Sequence, residues 1–369
     1  VRVACVADVH LANHRVHGGE TVAGLNRRAE EIANALALAV QAAERAGCER
    51  FVVAGDLFDA ASPSPQLVRR AQEALSASER PIKTFIIAGN HDIVSAKEGD
   101  NALGPLRALP HVEVVEVPRV VAAGSADLLL VPFQPGDARK WLPESVAALG
   151  LGAGNGKPRA LVTHVGIVTG ATPPYLRDAH DAVELEALQA LSAQGISAVL
   201  AGNWHGFHAW GNICQIGALV PTGWDNFGME GYGTLAIWDS KTGKLSREEI
   251  PGPRFLSISC DPEHVQPPPS RDAYVRWSVG PEDEEAACRA RAEYLVESGR
   301  LRACEVVLDL GDGASAARSA ARNAAERAQA ASGAGLDEVL AAFVGAMQIP
   351  ESVSREAVLS ECRRFLAAG

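Results

Sequence analysis

The chain has no CxxC pair. Its seven cysteines (Cys5, Cys48, Cys214, Cys260, Cys288, Cys304 and Cys362) are odd in number and scattered singly. That pattern argues against a disulfide framework and a thiolate zinc site, and for free thiols in a reducing cytoplasm. Long apolar runs are also missing. Nothing approaches the roughly 18 consecutive apolar residues that a membrane span requires, so no membrane is expected. The opening "VRVACVADVH" lacks the basic flank and small-residue cleavage site of a secretory signal. It reads instead as a first strand that runs straight into functional residues. A basic domain is absent too. The formal charge is −11, spread along the chain, so no segment announces nucleic acid by itself. Any polyanionic substrate must be held by local basic groups, by bound metal or with a partner's help.

What is present is apolar content, at 47%, which supports a substantial core and excludes a disordered or collagen-like chain. A length of 369 residues suits two domains with an appendage. Strands are predicted at Arg2–Ala7, Arg50–Ala54, Lys83–Ala88, Asp127–Val131, Arg159–Val162 and Ala198–Ala201. Between the first two, Leu25, Ala29, Ile32, Leu36, Val40 and Ala43 share one helical face, which Gly47 ends. Further helices are predicted over Pro65–Ser78, Pro135–Leu149 and His180–Gln194. This alternation implies an α/β sandwich with helices packed on the sheets.

From about residue 212 the pattern changes to "NICQIGAL" and "YGTLAIWD", read as antiparallel closure of a first domain, 1–250. "IPGPRF" marks a boundary. Beyond it "FLSISCD" and "DAYVRWSV", a helix near Glu282–Ser298 and "CEVVLDL" make a small α/β unit, 251–313. A helical C-terminal region, 314–369, follows. It holds an Ala-rich stretch with Arg318, Arg322 and Arg327, read as a solvated face, then an amphipathic stretch, Leu336–Met347, and a last helix near Arg355–Ala367.

The chemistry gathers where strands end. "VACVA" leads to Asp8-Val9-His10, "FVVA" to Gly55-Asp56-Leu57-Phe58-Asp59, and "TFIIA" to Gly89-Asn90-His91-Asp92. "ALV" leads to Thr163-His164, and "AVLA" to Gly202-Asn203-Trp204-His205. Ligands of open α/β sheets collect beyond the carboxyl ends of strands, and here each end delivers carboxylate, imidazole or amide groups. An Asp/Asn/His set without Cys suits Mn²⁺, Fe²⁺ or Zn²⁺. So many converging groups exceed what one ion needs. Two ions bridged by a carboxylate would acidify a shared water and neutralise a phosphoryl group under attack.

The order DxH, GDxxD, GNHD, a lone His and Gly-x-x-His resembles the calcineurin-like metallophosphoesterases. "ADVHL", "GDLFD", "AGNHD" and the helix opening "GLNRRAEEI" are similar in particular to SbcD-type DNA-repair exonucleases, relatives of the meiotic-recombination nuclease, and among these to phage-encoded members. The resemblance covers residues 1–250 and, more loosely, a capping domain from 251. It implies a metallophosphoesterase-type β-sandwich flanked by helices. It also implies two divalent ions, Mn²⁺ foremost with Mg²⁺, Fe²⁺ or Zn²⁺ as alternatives. Asp8, His10 and His205 would hold the first ion, Asp56 would bridge, and Asn90 and His164 would hold the second. His91 would contact the scissile phosphate and assist the leaving oxygen, with Asp92 and Asp59 orienting imidazoles or waters.

Where that family has Gly-His-x-His, this chain has Asn203, whose oxygen is a weaker donor than imidazole. His208 is the substitute if the loop shifts register. His14 and His17 read as solvated loop residues. Trp204 and Trp210 read as packing around the rim, whereas Trp224, in "TGWDN", sits where substrate would approach. The leading function is a DNA exonuclease or endonuclease of repair or recombination. By resemblance it would act as a homodimer with an SbcC-type, SMC-like ATPase. The rivals are a small-molecule phosphoesterase or pyrophosphatase and a catalytically weakened scaffold.

Overall fold

The apolar runs of the sequence become short strands, each stopped by a glycine or a polar turn. The computed structural model describes residues 1–95, 99–150, 156–224, 233–266, 269–280 and 285–308, together with 341, 344, 354–356, 358–360 and 363. The first strands are β1 (Arg2–Val6), β2 (Arg50–Ala54), β3 (Lys83–Ile87), β4 (Val112–Val115), β5 (Arg119–Ala123), β6 (Ala126–Val131) and β7 (Arg159–His164). They are followed by β8 (Gly166–Val168), β9 (Ala182–Glu184), β10 (Ala198–Gly202), β11 (His208–Trp210), β12 (Ile213–Gln215), β13 (Gly233–Asp239) and β14 (Lys244–Ile250). The last three are β15 (Arg254–Ile258), β16 (Ala273–Val279) and β17 (Ala303–Leu308). Helices are α1 (Arg27–Arg45), α2 (Pro65–Leu75), α3 (Ala138–Ala148), α4 (Pro174–Arg177), α5 (Leu185–Ala193) and α6 (Glu285–Glu297).

Two six-stranded sheets carry the fold, in the orders β14-β13-β1-β2-β3-β4 and β11-β12-β10-β7-β6-β5. Strands β1 to β4 pair in parallel, as do β6, β7 and β10, so their carboxyl ends point the same way within each sheet. Side chains alternate across each strand, which gives every sheet two apolar faces. Val3, Cys5, Val52, Phe85 and Ile87 meet Leu128, Leu130, Val162 and Leu200 between the sheets. On the outer face of the first sheet, Val6, Phe51, Val53 and Ile86 pack on Ile32, Leu36 and Val40 of α1 and on Leu67 and Ala71 of α2. On the outer face of the second, Leu129, Leu161 and Val199 pack on Trp141 and Leu142 of α3 and Leu188 of α5. Each such side chain, fully buried, contributes about 1.5–3 kcal/mol. The α/β sandwich with flanking helices is therefore the observed architecture.

The α1 boundaries follow local chemistry. Asn26 caps it by accepting from the Ala29 N–H at 3.0 Å. At the other end Gly47, with φ of +68°, turns the chain so that the Cys48 N–H reaches the Ala43 carbonyl at 2.9 Å. Two expectations need correction. The stretch His180–Gln194 is not one helix: Ala182–Glu184 forms β9, because Val183 pairs with Ile167 of β8 and only Leu185 onward is helical. The closing strands are not all antiparallel either. Strand β12 runs parallel to β10, while β13 and β14 close the first sheet antiparallel.

The chain divides into two compact units, Val1–Leu256 with Asp272–Tyr274, and Ser257–Arg271 with Val275–Gly369. Strands β15, β16 and β17 form a three-stranded sheet. In the second unit α6 packs on β17 through the buried Ala292 and Leu295. The Ala-rich stretch 314–334 lies outside the described residues, as does Leu336–Met347 except for positions 341 and 344. Among the described residues no helix is long and apolar enough to cross a membrane.

Candidate functional site

The carboxyl ends of β1, β2, β3, β7 and β10 meet, and the backbone there is forced into unusual shapes. Asp8, His10, Asp56 and Asn203 all have positive φ, at 49°, 48°, 52° and 88°. Non-glycine residues held there cost about 1–3 kcal/mol each and persist only where surroundings over-determine them. Here the N–H groups of Val9 and His10 both donate to the Asp56 carbonyl, at 2.9 and 3.0 Å. The Asn203 N–H is 3.0 Å from both carboxylate oxygens of Asp8. Two glycines make room. A Cβ on Gly89 would lie 2.1 Å from Asp56 Oδ1, and one on Gly55 would lie 2.1 Å from His164 Nδ1.

His10, His205 and Asp8 form one ligand group. His10 Nδ1 lies 3.1 Å from Asp59 Oδ1, so its proton belongs on that side and the Nε2 lone pair faces His205 Nε2, 3.1 Å away. Asp8, Asp56 and His164 form a second group. His164 Nδ1 donates to the Ala54 carbonyl at 2.7 Å. Its Nε2 lone pair then faces Asp56 Oδ2 at 3.3 Å and Asn90 Oδ1 at 3.0 Å. Acceptors turned on one another repel unless a proton or a metal cation lies between them, and an Asp/Asn/His donor set of this kind fits divalent ions. Asp56 Oδ2 is also 3.8 Å from His10 Nε2. One carboxylate oxygen thus stands between two imidazoles, the placement of a bridging ligand.

The electrostatics agree. Burial pulls the His164 imidazole down, but Asp56 and then Asp8 push it up to about 10. Burial raises Asp56, yet His164 and His10 hold its carboxyl well below the usual carboxylate range. Burial raises Asp8 against the nearby imidazoles of His164 and His205. The cluster favours added positive charge.

Of these groups, His10, Asp56 and His205 line a cleft of about 320 Å³ that also contains His91. His91 is exposed, and its Nδ1 donates to the Asp59 carbonyl at 2.9 Å, leaving Nε2 as its other ring nitrogen. Its ring stands edge-on to His10, with centroids 4.8 Å apart. Asp59 places its carboxylate beside His10 Nδ1. Asp92 does something other than expected: fully buried, its carboxylate accepts the N–H groups of Gly89 and Phe58 at 3.0 Å and of Leu57 at 3.3 Å. Burial and the Asp56 charge raise it to about 6 against those bonds. It fastens two motif loops together from behind the cleft.

Asn203 lines the cleft, with its amide nitrogen donating to the Asp181 carbonyl at 3.0 Å. His208 and Trp224 are not among the cleft-lining residues. His208 belongs to β11 and stacks on Trp210, and the Trp224 indole N–H donates to the Leu256 carbonyl at 3.3 Å beside Phe255. Asn203 and His205, not His208, face the cleft from this loop. His14 and His17 are corrected from solvated loop residues. His14 lines the cleft, held by its Nε2 at 3.0 Å from the His10 carbonyl, and His17 packs against Trp224 and Tyr274. Thr222 also lines the cleft, and nothing in the sequence marked it.

The DNA double-strand break repair protein Mre11 of Archaeoglobus fulgidus is 32% identical over 96 residues, which are 26% of this chain and 20% of that protein. Its namesake in Methanopyrus kandleri is 30% identical over 116 residues, 31% of this chain and 24% of that protein. The matched region is thus only a fifth to a quarter of the length of these relatives. The crystal structure of TT1561 of Thermus thermophilus aligns with 68% of the chain and 99% of its own, at 13% identity and a TM-score of 0.43. A family model described as calcineurin-like phosphoesterase matches residues 1–207, all five strand-end motifs included. Covering more than half of the sequence, that match makes the chain a member of the calcineurin-like phosphoesterase family.

Proposed function

We propose that this phosphoesterase is a two-metal phosphodiesterase that cuts DNA in repair or recombination. The observation that carries the metal pair is the single Asp56 oxygen between the His10 and His164 imidazoles. Similarity to the two Mre11 proteins supports DNA as substrate. In this reading Asp8, His10 and His205 hold the first ion, Asp56 bridges, and Asn90 and His164 hold the second, with Asn203 as its oxygen donor. When bound, the ions neutralise phosphoryl charge and acidify a water. The oxygen-rich donor set of the second ion favours Mn²⁺ over Zn²⁺.

The protein's own part is positional. Asp59 orients His10 through Nδ1 and His91 through its carbonyl. With Nδ1 so occupied, His91 delivers a proton from Nε2 to the leaving oxygen. An SMC-like ATPase partner and a homodimer belong to the same proposal, as does a cytoplasmic location.

The charge of −11 favours, as a second reading, a small phosphoester that needs no basic track. End-labelled DNA and a chromogenic phosphodiester, offered together with Mn²⁺, separate the two. Cleavage of DNA supports the nuclease, and turnover of the small ester alone supports the rival.

A further inference from the structure

Alternate residues of the loop after β10 face different ways. Asn203 and His205 line the metal cleft, whereas Trp204 and Gly206 line a second cavity of about 170 Å³. The Trp204 ring lies close over Gly166, where a Cβ would come within 2.2 Å of Cε2. That glycine is what seats the indole. The cavity is also lined by the pair His208 and Trp210 on the edge strand β11, with ring planes at 30° and centroids 5.7 Å apart. Gln215 makes the floor. Its carboxamide is locked by Nε2 donating to the Ala201 and Gly202 carbonyls at 3.1 and 2.7 Å and by Oε1 accepting the Ile167 N–H at 3.0 Å. Trp141 and Trp238 are buried core residues, but Trp204 and Trp210 are half-buried and show ring surface to the cavity.

We propose that this cavity is a subsite for one unpaired nucleobase next to the scissile phosphate. The proposal rests on the nuclease reading and deepens it. Three observations support it. The cavity shares the 203–206 loop with the cleft, so a base near a phosphate held there needs little chain to reach it. Among its lining residues Trp204, His208 and Trp210 offer aromatic rings, beside Ile167, Thr169 and Ala171, suited to the π-face that every base presents. The chain also has a charge of −11, so phosphate contacts to Lys and Arg supply little affinity and stacking has to supply more. A paired base keeps its faces within the helical stack, so the subsite selects strand ends or single strands.

The test uses the full chain with Mn²⁺ and single-stranded oligonucleotides, either intact or carrying an abasic residue beside the cleaved bond. For the wild type, removing that base should lower kcat/KM about tenfold or more, the scale of one lost stacking contact. Trp210→Ala should lose a similar factor on intact DNA and almost nothing further on abasic DNA, while Trp210→Phe restores most of the loss. Equal losses for Trp210→Ala on both substrates would mark a merely structural effect and overturn the subsite. So would indifference of the wild type to the missing base. If the wild type cuts no DNA but still hydrolyses a small phosphodiester, the nuclease reading itself falls, and the base subsite with it.

Discussion

At the scale of single residues, the site is a set of lone pairs aimed at one another, and protons and metal ions compete for the space between them. His164 shows this most directly. Its folded pKa, about 10, stands above the ordinary 6.5. In metal-free protein its charged form therefore stabilises fully below pH 6.5, and that contribution is lost as pH rises through about 10. The melting temperature of metal-free protein should fall from pH 7 to 9 by scanning calorimetry, and far less with Mn²⁺ bound. The same proton must leave when an ion binds, so Mn²⁺ affinity should rise about tenfold per pH unit over that range. Titration calorimetry in buffers of different ionisation enthalpy would count the proton released. His91 makes a different prediction, because the proposal gives it a proton to deliver and no ion to hold, although its ring stands in one ligand-spaced group with His10 and Asp56. His91→Ala should keep metal content near wild type and lower turnover by about 10²-fold or more, as expected for a lost general acid. Normal DNA cleavage by that variant would remove the role.

At the scale of elements, parallel strands bring the motifs to one rim, and the close approaches behind them decide how well the rim is built. Gly89→Ala places a Cβ 2.1 Å from Asp56 Oδ1, so the bridging carboxylate must move. Overpacking of this kind costs about 1–3 kcal/mol, and the larger effect should be loss of one bound metal equivalent by elemental analysis. Gly104→Ala, with nothing within 4 Å, is the matching control and should change neither.

The strand-end motifs were legible because each is local: an apolar run, a turn, and a polar residue at a fixed offset. What was not legible depends on distant partners. Strand β9 looks helical by periodicity and becomes a strand only through pairing with β8. His14 reaches the cleft because Asn13 and Asn26 fold its loop back, with Asn13 accepting the Asn26 N–H at 2.8 Å and Asn26 donating to the His14 carbonyl at 2.8 Å. Asp92 reads as part of a catalytic motif, and only the fold shows its oxygens turned to three backbone N–H groups.

At the scale of the whole molecule, the proposed nuclease would be an acidic chain holding DNA with few phosphate contacts of its own. Its DNA affinity should therefore fall by about tenfold or less between roughly 50 and 200 mM salt, against about 10³–10⁵-fold for a protein that neutralises 6–10 phosphates. A steep salt dependence, measured by fluorescence anisotropy, would reveal a basic surface that the net charge of −11 does not announce. The measurement that bears most directly on the central claim is a titration of metal-free protein with Mn²⁺, reading bound equivalents and phosphodiester hydrolysis in one sample. With Asp56 as the bridge between two imidazoles, the proposal predicts that two ions bind per chain and that hydrolysis rises with the second. Full activity at a single bound equivalent would contradict the paired site.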